Sequence, residues 1–154
     1  MRIYTSQFNN VAITATQDLF NLSSTSSTAV KIHEVIVGQI SATVIGNLRL
    51  SLKRLPATVT PGSGGGGALM QSINPGDIAA LANVRVNDTT PATSSSATQI
   101  IRSDIYNVLN GFIYLPPIED RPIIKPSQAF IVSLDTAPGS SETMSGTIVW
   151  EELF

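Results

Sequence analysis

The sequence predicts an all-β fold, a single-domain antiparallel β-sandwich of jelly-roll type with about eight strands. Apolar and polar residues alternate with a period of two along most of the chain, as in strands that bury one face. Leu48, Leu50 and Leu52, for example, alternate with polar residues. Clusters of glycine, proline and serine separate these segments at short intervals, which is typical of the turns in an all-β domain.

The individual strands are predicted from this alternation and from runs of β-branched residues. Residues 32–40 and 143–152 indicate long, largely buried strands. Residues 48–53, 83–87 and 130–135 indicate alternating strands, of which 48–53 has a solvated outer face. The remaining predicted strands cover residues 11–14, 18–22, 98–102 and 105–114.

One short helix is predicted near residues 74–82. Asn74 is a suitable N-cap, Pro75 fits the first helical position, and Asp77 complements the helix dipole. The Gly-rich residues 61–68 are too short to separate two domains, so residues 1–154 are predicted to form one domain. We expect residues 61–68 to be a flexible hairpin tip.

The composition excludes several classes of function. Charged residues make up only 13% of the chain, and nine basic residues against eleven acidic ones give a formal net charge of -2. This leaves no basic excess for binding a nucleic-acid backbone and no polybasic segment for binding an anionic membrane. No apolar run approaches the ~18 residues that span a bilayer. So few charges also indicate that much of the surface lies against another molecule.

No group of residues points to an enzyme, a metal site or a cofactor. The chain has no cysteine and a single histidine, His33, which the alternation places on the same strand face as Val35 and Val37. We interpret His33 as a partly buried structural residue or a contact residue. Glu151 and Glu152 are adjacent in a predicted strand and would point to opposite faces, so they cannot converge on one substrate. We therefore predict no catalytic residue, no metal ligand and no cofactor.

Seven segments of the chain, and the order in which they occur, point to a known group of proteins. They are Gln17-Asp18-Leu19-Phe20, residues 30–39, Leu50-Ser51-Leu52-Lys53-Arg54, residues 62–67, residues 83–90, residues 112–122, and Met144-Ser145-Gly146-Thr147-Ile148-Val149-Trp150-Glu151-Glu152. Together they resemble a group of small proteins encoded in tailed-phage and prophage genomes, which are taken to be virion components. The resemblance spans nearly the whole chain, but it rests on framework and turn residues and carries over no active site.

The resemblance implies a structural virion protein. The size and the predicted sandwich are similar to those of capsid decoration (cement) proteins, which lie on the outer shell, often as homotrimers, and brace the major capsid protein. We expect the same partners here, with synthesis in the host cytoplasm and no nucleic-acid or membrane partner. Two alternatives stay open: a tail, neck or fibre-base adaptor of the virion, and a carbohydrate-binding β-sandwich with Trp150 and Tyr4 as its platforms.

The contact residues are predicted from their place in the chain, because termini and loop tips carry the variable contacts of sandwiches. We expect them in an N-terminal arm (residues 1–10), in the Gly-rich tip and in a serine loop. The predicted residues are Arg2, Tyr4, Phe8, Gly64, Gly65, Gly66, Ser94, Ser95 and Ser96.

Overall fold

A computed structural model describes residues 1–41 and 45–153 as strands joined by turns, with one short 3-10 turn at Ile118–Asp120. No helix in these two ranges is long and apolar enough to cross a membrane. The strands are β1 (Arg2–Ile13), β2 (Gln17–Ser23), β3 (Ala29–Gln39), β4 (Asn47–Leu55), β5 (Val59–Thr60), β6 (Gly66–Gly67), β7 (Met70–Ser72), β8 (Asn83–Asp88), β9 (Thr93–Ser94), β10 (Gln99–Asn107), β11 (Phe112–Tyr114), β12 (Ile123–Ile124), β13 (Ala129–Leu134) and β14 (Glu142–Leu153).

The strands form two six-stranded antiparallel sheets. The first sheet has the order β11-β3-β14-β1-β7, with β12 also paired to β3. The second sheet has the order β10-β4-β13-β2-β8-β6, and β5 pairs with β9 outside both sheets. Strands β1 to β4 alternate between the two sheets. This architecture confirms the predicted antiparallel β-sandwich, although it has more strands than the eight expected.

Aromatic rings link the two sheets across the core. Phe8 of the first sheet lies against Phe20 of the second, with ring centroids 5.2 Å apart. Tyr106 and Phe112 make a similar contact at 5.9 Å, which brings the edge strands β10 and β11 together. The perfect alternation of buried and half-buried residues in β14 shows how one strand contributes a single face to this core.

The predicted alternation fails in β13, where all six residues are buried. The reason is a second, smaller core on the outer face of the second sheet. There Leu55, Ala129 and Ile131 pack together, and Val59 of β5 and partly buried Ala92 cover them. The β5–β9 pair and its flanking loops therefore bury a face that would otherwise meet solvent.

The helix predicted near residues 74–82 is wrong. Asn74 to Asp77 instead form a tight turn, in which the Asp77 N–H donates to the Asn74 carbonyl at 3.3 Å. Gly76 has a φ of 91° at the third position of this turn, after Pro75. Proline followed by a glycine with positive φ is the signature of a type II turn, and this signal outweighs the helix-capping residues.

Candidate functional site

The predicted N-terminal arm is the first strand of the sandwich, in the interior of its sheet. β1 lies between β14 and β7. Tyr4 is fully buried and stacks on Trp150 at 5.9 Å, and Phe8 is 5% exposed. Arg2 is half-buried opposite Glu152. The prediction that Tyr4 and Phe8 are contact residues is therefore wrong for the folded chain, because the alternation in residues 1–10 marks a core strand.

The Gly-rich segment is paired at Ser63, Gly66 and Gly67, whereas a flexible hairpin tip was predicted. Ser63 forms a bridge with Thr90, and β6 pairs with β8. Gly65 approaches the β8 backbone so closely that a Cβ atom would lie 2.1 Å from the Val86 carbonyl oxygen. Glycine is needed in this segment for close approach. The Asp88 carboxylate accepts a hydrogen bond from the Gly65 N–H at 3.1 Å and fixes the segment further.

The other predicted contact residues remain on the surface but do not belong to one cluster. Gly64 is exposed and Gly66 is half-buried at the β6 edge of the second sheet. Ser94 lies in β9 of the separate two-stranded sheet, and the exposed Ser95 and Ser96 follow it. The structure therefore supplies two separate surface segments from this group.

A larger exposed feature lies at the opposite edge of the sandwich, where sequence reasoning placed no site. The edge strands β10 and β11 carry a set of aliphatic side chains that are between 37% and 68% exposed. We call this set, together with the residue after β11, the apolar edge. Its members are Ile100, Ile101, Ile105, Ile113 and Leu115. Aliphatic groups that are exposed together mark surfaces that contact other macromolecules, and three of these residues, Ile101, Ile113 and Leu115, line one groove.

The apolar edge borders an open groove of about 410 Å³ between the two sheets. Ile101, Ile113 and Leu115 line it together with Arg102. The Arg102 guanidinium lies 5.7 Å from the centre of the Tyr114 ring and also pairs with Asp104. The groove therefore combines an aliphatic lining with one oriented ion pair, an arrangement suited to contact with another protein chain.

The clearest sequence signal for this edge is the spacing of its isoleucines. Ile100, Ile101 and Ile105 do not share one face of a regular strand, because two of them are adjacent. A β-bulge between Ile100 and Arg102 accommodates this irregular pattern. Sequence reasoning divided the region into strands at 98–102 and 105–114, whereas the structure has one continuous strand at Gln99–Asn107.

A polar cluster lies on the outer face of the second sheet, around Asp135. Lys53 Nζ donates to Asp135 Oδ1 at 2.8 Å, and Ser133 Oγ donates to the same oxygen at 2.9 Å. Ser51 Oγ donates to Asp135 Oδ2. Burial raises the pKa of Asp135, but these three hydrogen bonds together outweigh burial and hold the pKa below its usual value. All these groups are satisfied by one another, which indicates a structural role.

Asp18 lines a groove next to this cluster, and its carboxyl group has a strongly shifted pKa. It is 3% exposed, and its Oδ2 accepts a hydrogen bond from the Ala92 N–H at 2.8 Å. Burial raises the pKa of Asp18 to about 6, and the buried Asp88, which pairs with it across the strands, adds to the shift. The hydrogen bond from Ala92 opposes the shift only in part.

His33 lies on the outer face of the first sheet, away from Val35 and Val37, which are buried. The prediction of a shared face is wrong because a bulge in β3 sets Glu34 opposite Val149 but Ile32 opposite Trp150. The extra residue, His33, shifts the alternation by one place.

Both nitrogens of the His33 ring have partners. Arg121 Nη1 lies 3.0 Å from Nδ1, and Glu151 Oε2 lies 3.1 Å from Nε2. Arginine can only donate, so Nδ1 accepts and the ring proton is on Nε2, where it is donated to Glu151. The ring ties β3 to β14 and to the loop that contains Arg121, as expected for a structural histidine.

Within residues 1–41 and 45–153, no three histidine, cysteine, aspartate or glutamate side chains come together in a way that could hold a metal ion. No family model, curated protein or solved structure matches the chain. Among the described residues, the most distinctive surface feature is the apolar edge.

Proposed function

We propose that the chain is a structural virion protein of a tailed bacteriophage that decorates and stabilises the capsid exterior as a symmetric oligomer. Its partners are further copies of itself and the major capsid protein, and it reaches the capsid surface after synthesis in the host cytoplasm. The proposal combines the resemblance of the segments quoted above with the surface of the sandwich. The resemblance implies a homotrimer, and the solution mass of the chain tests that number of copies.

The observation that carries the proposal is the apolar edge. Ile105 and Ile113 are 68% and 67% exposed, although neighbouring residues of the same strands contribute to the core. Exposed aliphatic groups on edge strands favour association, and a chain with only 13% charged residues has few groups that oppose it. A surface of this kind suits a protein that lies against other β-structure at low desolvation cost.

Of the two alternatives, the carbohydrate-binding module loses its support. Trp150 and Tyr4 would be its stacking platforms, but both are fully buried. Neither ring presents a face to a sugar. A tail, neck or fibre-base adaptor would use the same apolar edge, so copy number in the particle has to separate it from a decoration protein.

The test is to purify virions of the phage whose genome encodes the chain and to count its copies against the major capsid protein by quantitative mass spectrometry. We expect a copy number close to that of the capsid subunits. A count of tens or fewer would favour the adaptor, and absence from the particle would contradict both. Capsids that lack the protein should bind the purified wild-type chain in co-sedimentation.

A pair of matched variants connects the binding to the apolar edge. Ile113→Asp places a charge on the edge, whereas Ile73→Asp places the same charge on an isoleucine that is 52% exposed elsewhere. We expect capsid binding to fall with Ile113→Asp and to persist with Ile73→Asp, while both variants keep the unfolding temperature of a folded sandwich. Equal binding by the two variants would remove the apolar edge from the proposal.

A further inference from the structure

We propose that the free side of β10 is a self-pairing surface, to which a second copy of this chain adds its own β10 as an antiparallel strand across a two-fold axis. The pairing deepens the proposed function, on which it rests for the expectation that the chain self-associates. The proposed partner is a second copy of the chain, and the two-fold axis passes through the Ser103 pair.

The first reason is the open edge itself. β10 is the outermost strand of the second sheet, and among the described residues it pairs only with β4. The N–H and C=O groups on its other side are a template for a further strand. The strand is nine residues long, and Ile101 and Ile105 on it are 37% and 68% exposed. An edge of this length and composition favours pairing with another extended chain.

The second reason is the charge pattern on either side of Ser103. Arg102 and Asp104 form an ion pair along the strand and lie on the same face of it. In an antiparallel pair centred on Ser103, Arg102 of one copy lies opposite Asp104 of the other, and the reverse holds as well. The four charges then alternate in sign around the axis, and opposite charges in directly opposed positions stabilise strand pairing.

The same charges select this register over its neighbours. A two-fold axis normal to the sheet places the same face of β10 on the same side in both copies. Because directly opposed side chains share a face, the pairing must be centred on a residue, and the centre moves by one whole residue at a time. One step in either direction sets Arg102 opposite Arg102 or Asp104 opposite Asp104, and parallel pairing does both.

Ile101 is the extra residue of the bulge between Ile100 and Arg102, so we confine the regular ladder to residues 102–104. Just outside this ladder, Ile105 of each copy lies near the bulge of the other, where both exposed isoleucines lose contact with water. Natural edge strands are often protected by charged side chains. Here the two charges have opposite signs and complement a second copy, so they guide the pairing.

A two-fold contact closes at two copies and therefore gives a dimer, in place of the homotrimer that the resemblance implies. The first measurement is the solution mass of the full chain by sedimentation velocity over a wide concentration series. We expect a reversible shift from 16.3 kDa to twice that mass. A mass near three times 16.3 kDa, or a monomer at every concentration, would overturn the pairing and leave capsid binding to its own test.

Charge reversal locates the interface. Arg102→Asp and Asp104→Arg each place like charges opposite one another, and we expect each to raise the dimer Kd by roughly 100-fold or more. The double swap restores alternation and should return the Kd to within roughly tenfold of the wild-type value. Lys125→Asp is the control, because this exposed lysine lies outside the ladder and gives the same net charge as Arg102→Asp.

Hydrogen exchange gives a second readout that does not depend on the variants. Amides of residues 102–104 that face away from β4 should become protected as concentration rises in the wild type, but not in Arg102→Asp. Thermal unfolding of each variant confirms that the sandwich persists. A dimer in which these amides exchange freely would place self-association elsewhere and overturn the proposal. A double swap that stays monomeric while folded would overturn the charge pairing on which the proposal depends.

Discussion

Glu151 and Glu152 follow one another in β14 but interact on opposite sides of the first sheet. Glu151 accepts a hydrogen bond from His33 at 3.1 Å on the outer face. Glu152 is 2% exposed, and its Oε1 accepts hydrogen bonds from the N–H groups of Leu81 and Ala82, each at 2.8 Å. The alternation expected from the sequence is therefore confirmed, and each carboxylate holds a different part of the chain.

The buried carboxylate of Glu152 should matter more for stability than the exposed carboxylate of Glu119 in the 3-10 turn. Glu152→Ala leaves the buried Ala82 N–H without an acceptor, and we expect it to lower the free energy of unfolding by about 2–4 kcal/mol. Urea denaturation measures the difference. Glu119→Ala is the control, because Glu119 is exposed, and it should change stability by less than about 0.5 kcal/mol.

Asp18 should make the protein less stable as pH rises through 6. Its pKa is about 6 in the folded chain against 3.8 as the ordinary value, so the folded state holds the proton more tightly. This group's contribution to stability is present below about pH 4 and is lost as pH rises through about 6.

Asp18→Asn removes this loss while retaining an acceptor for the Ala92 N–H. We expect it to be more stable than the wild type by about 2–3 kcal/mol above pH 7 and equally stable near pH 4. The difference between the two unfolding curves across pH isolates Asp18 from other carboxyl groups. Asp120→Asn, at an exposed position, should give a flat difference. A variant that is less stable at high pH would contradict the assigned environment.

The Gly-rich segment offers two adjacent glycines with opposite surroundings. A Cβ at Gly65 would lie 2.1 Å from the Val86 carbonyl oxygen, whereas a Cβ at Gly66 has nothing within 4 Å. Gly65→Ala should therefore cost about 3 kcal/mol or more, because backbone cannot move aside as a side chain can. Gly66→Ala should stay within about 1 kcal/mol of the wild type. Equal denaturation midpoints would mean that the segment is not held against β8.

His33 should be present as a single tautomer at neutral pH. Because Arg121 donates to Nδ1, the proton is expected on Nε2. Nitrogen-15 NMR shows which ring nitrogen carries the proton, and the signals are unambiguous because the chain has one histidine. Arg121→Ala removes the donor, so we expect a mixture of tautomers with the fold retained. A proton on Nδ1 in the wild type would contradict the arrangement of the three side chains.

The long strands could be predicted because they contain enough residues for a period to appear. β14 alternates over its whole length, and β4 shows the pattern through Leu48, Leu50 and Leu52. β5, β6 and β9 have two residues each, which is too short to display alternation. Their positions depend on the strands that they meet, and those partners are distant in the chain.

The candidate site could not be predicted in the same way. Whether Ile105 or Ile131 is exposed depends on what covers each strand. Ile131 lies beneath β5 and Ala92, whereas Ile105 is on a strand at the edge of its sheet. The order of strands in the sheets and the loops that cover them decide which of the two positions is buried, and the period of the sequence gives neither.

The adjacency of β1 and β14 affects how the chain folds during synthesis. β1 leaves the ribosome well over a hundred residues before β14. Until β14 emerges, the only neighbour available to β1 in its sheet is the three-residue β7. Tyr4 therefore remains without Trp150, on which it stacks, during most of translation, and pairing between such distant segments forms slowly. The nascent chain carries an apolar strand that is free to bind chaperones, or the same strand of a neighbouring nascent chain, before the first sheet can close.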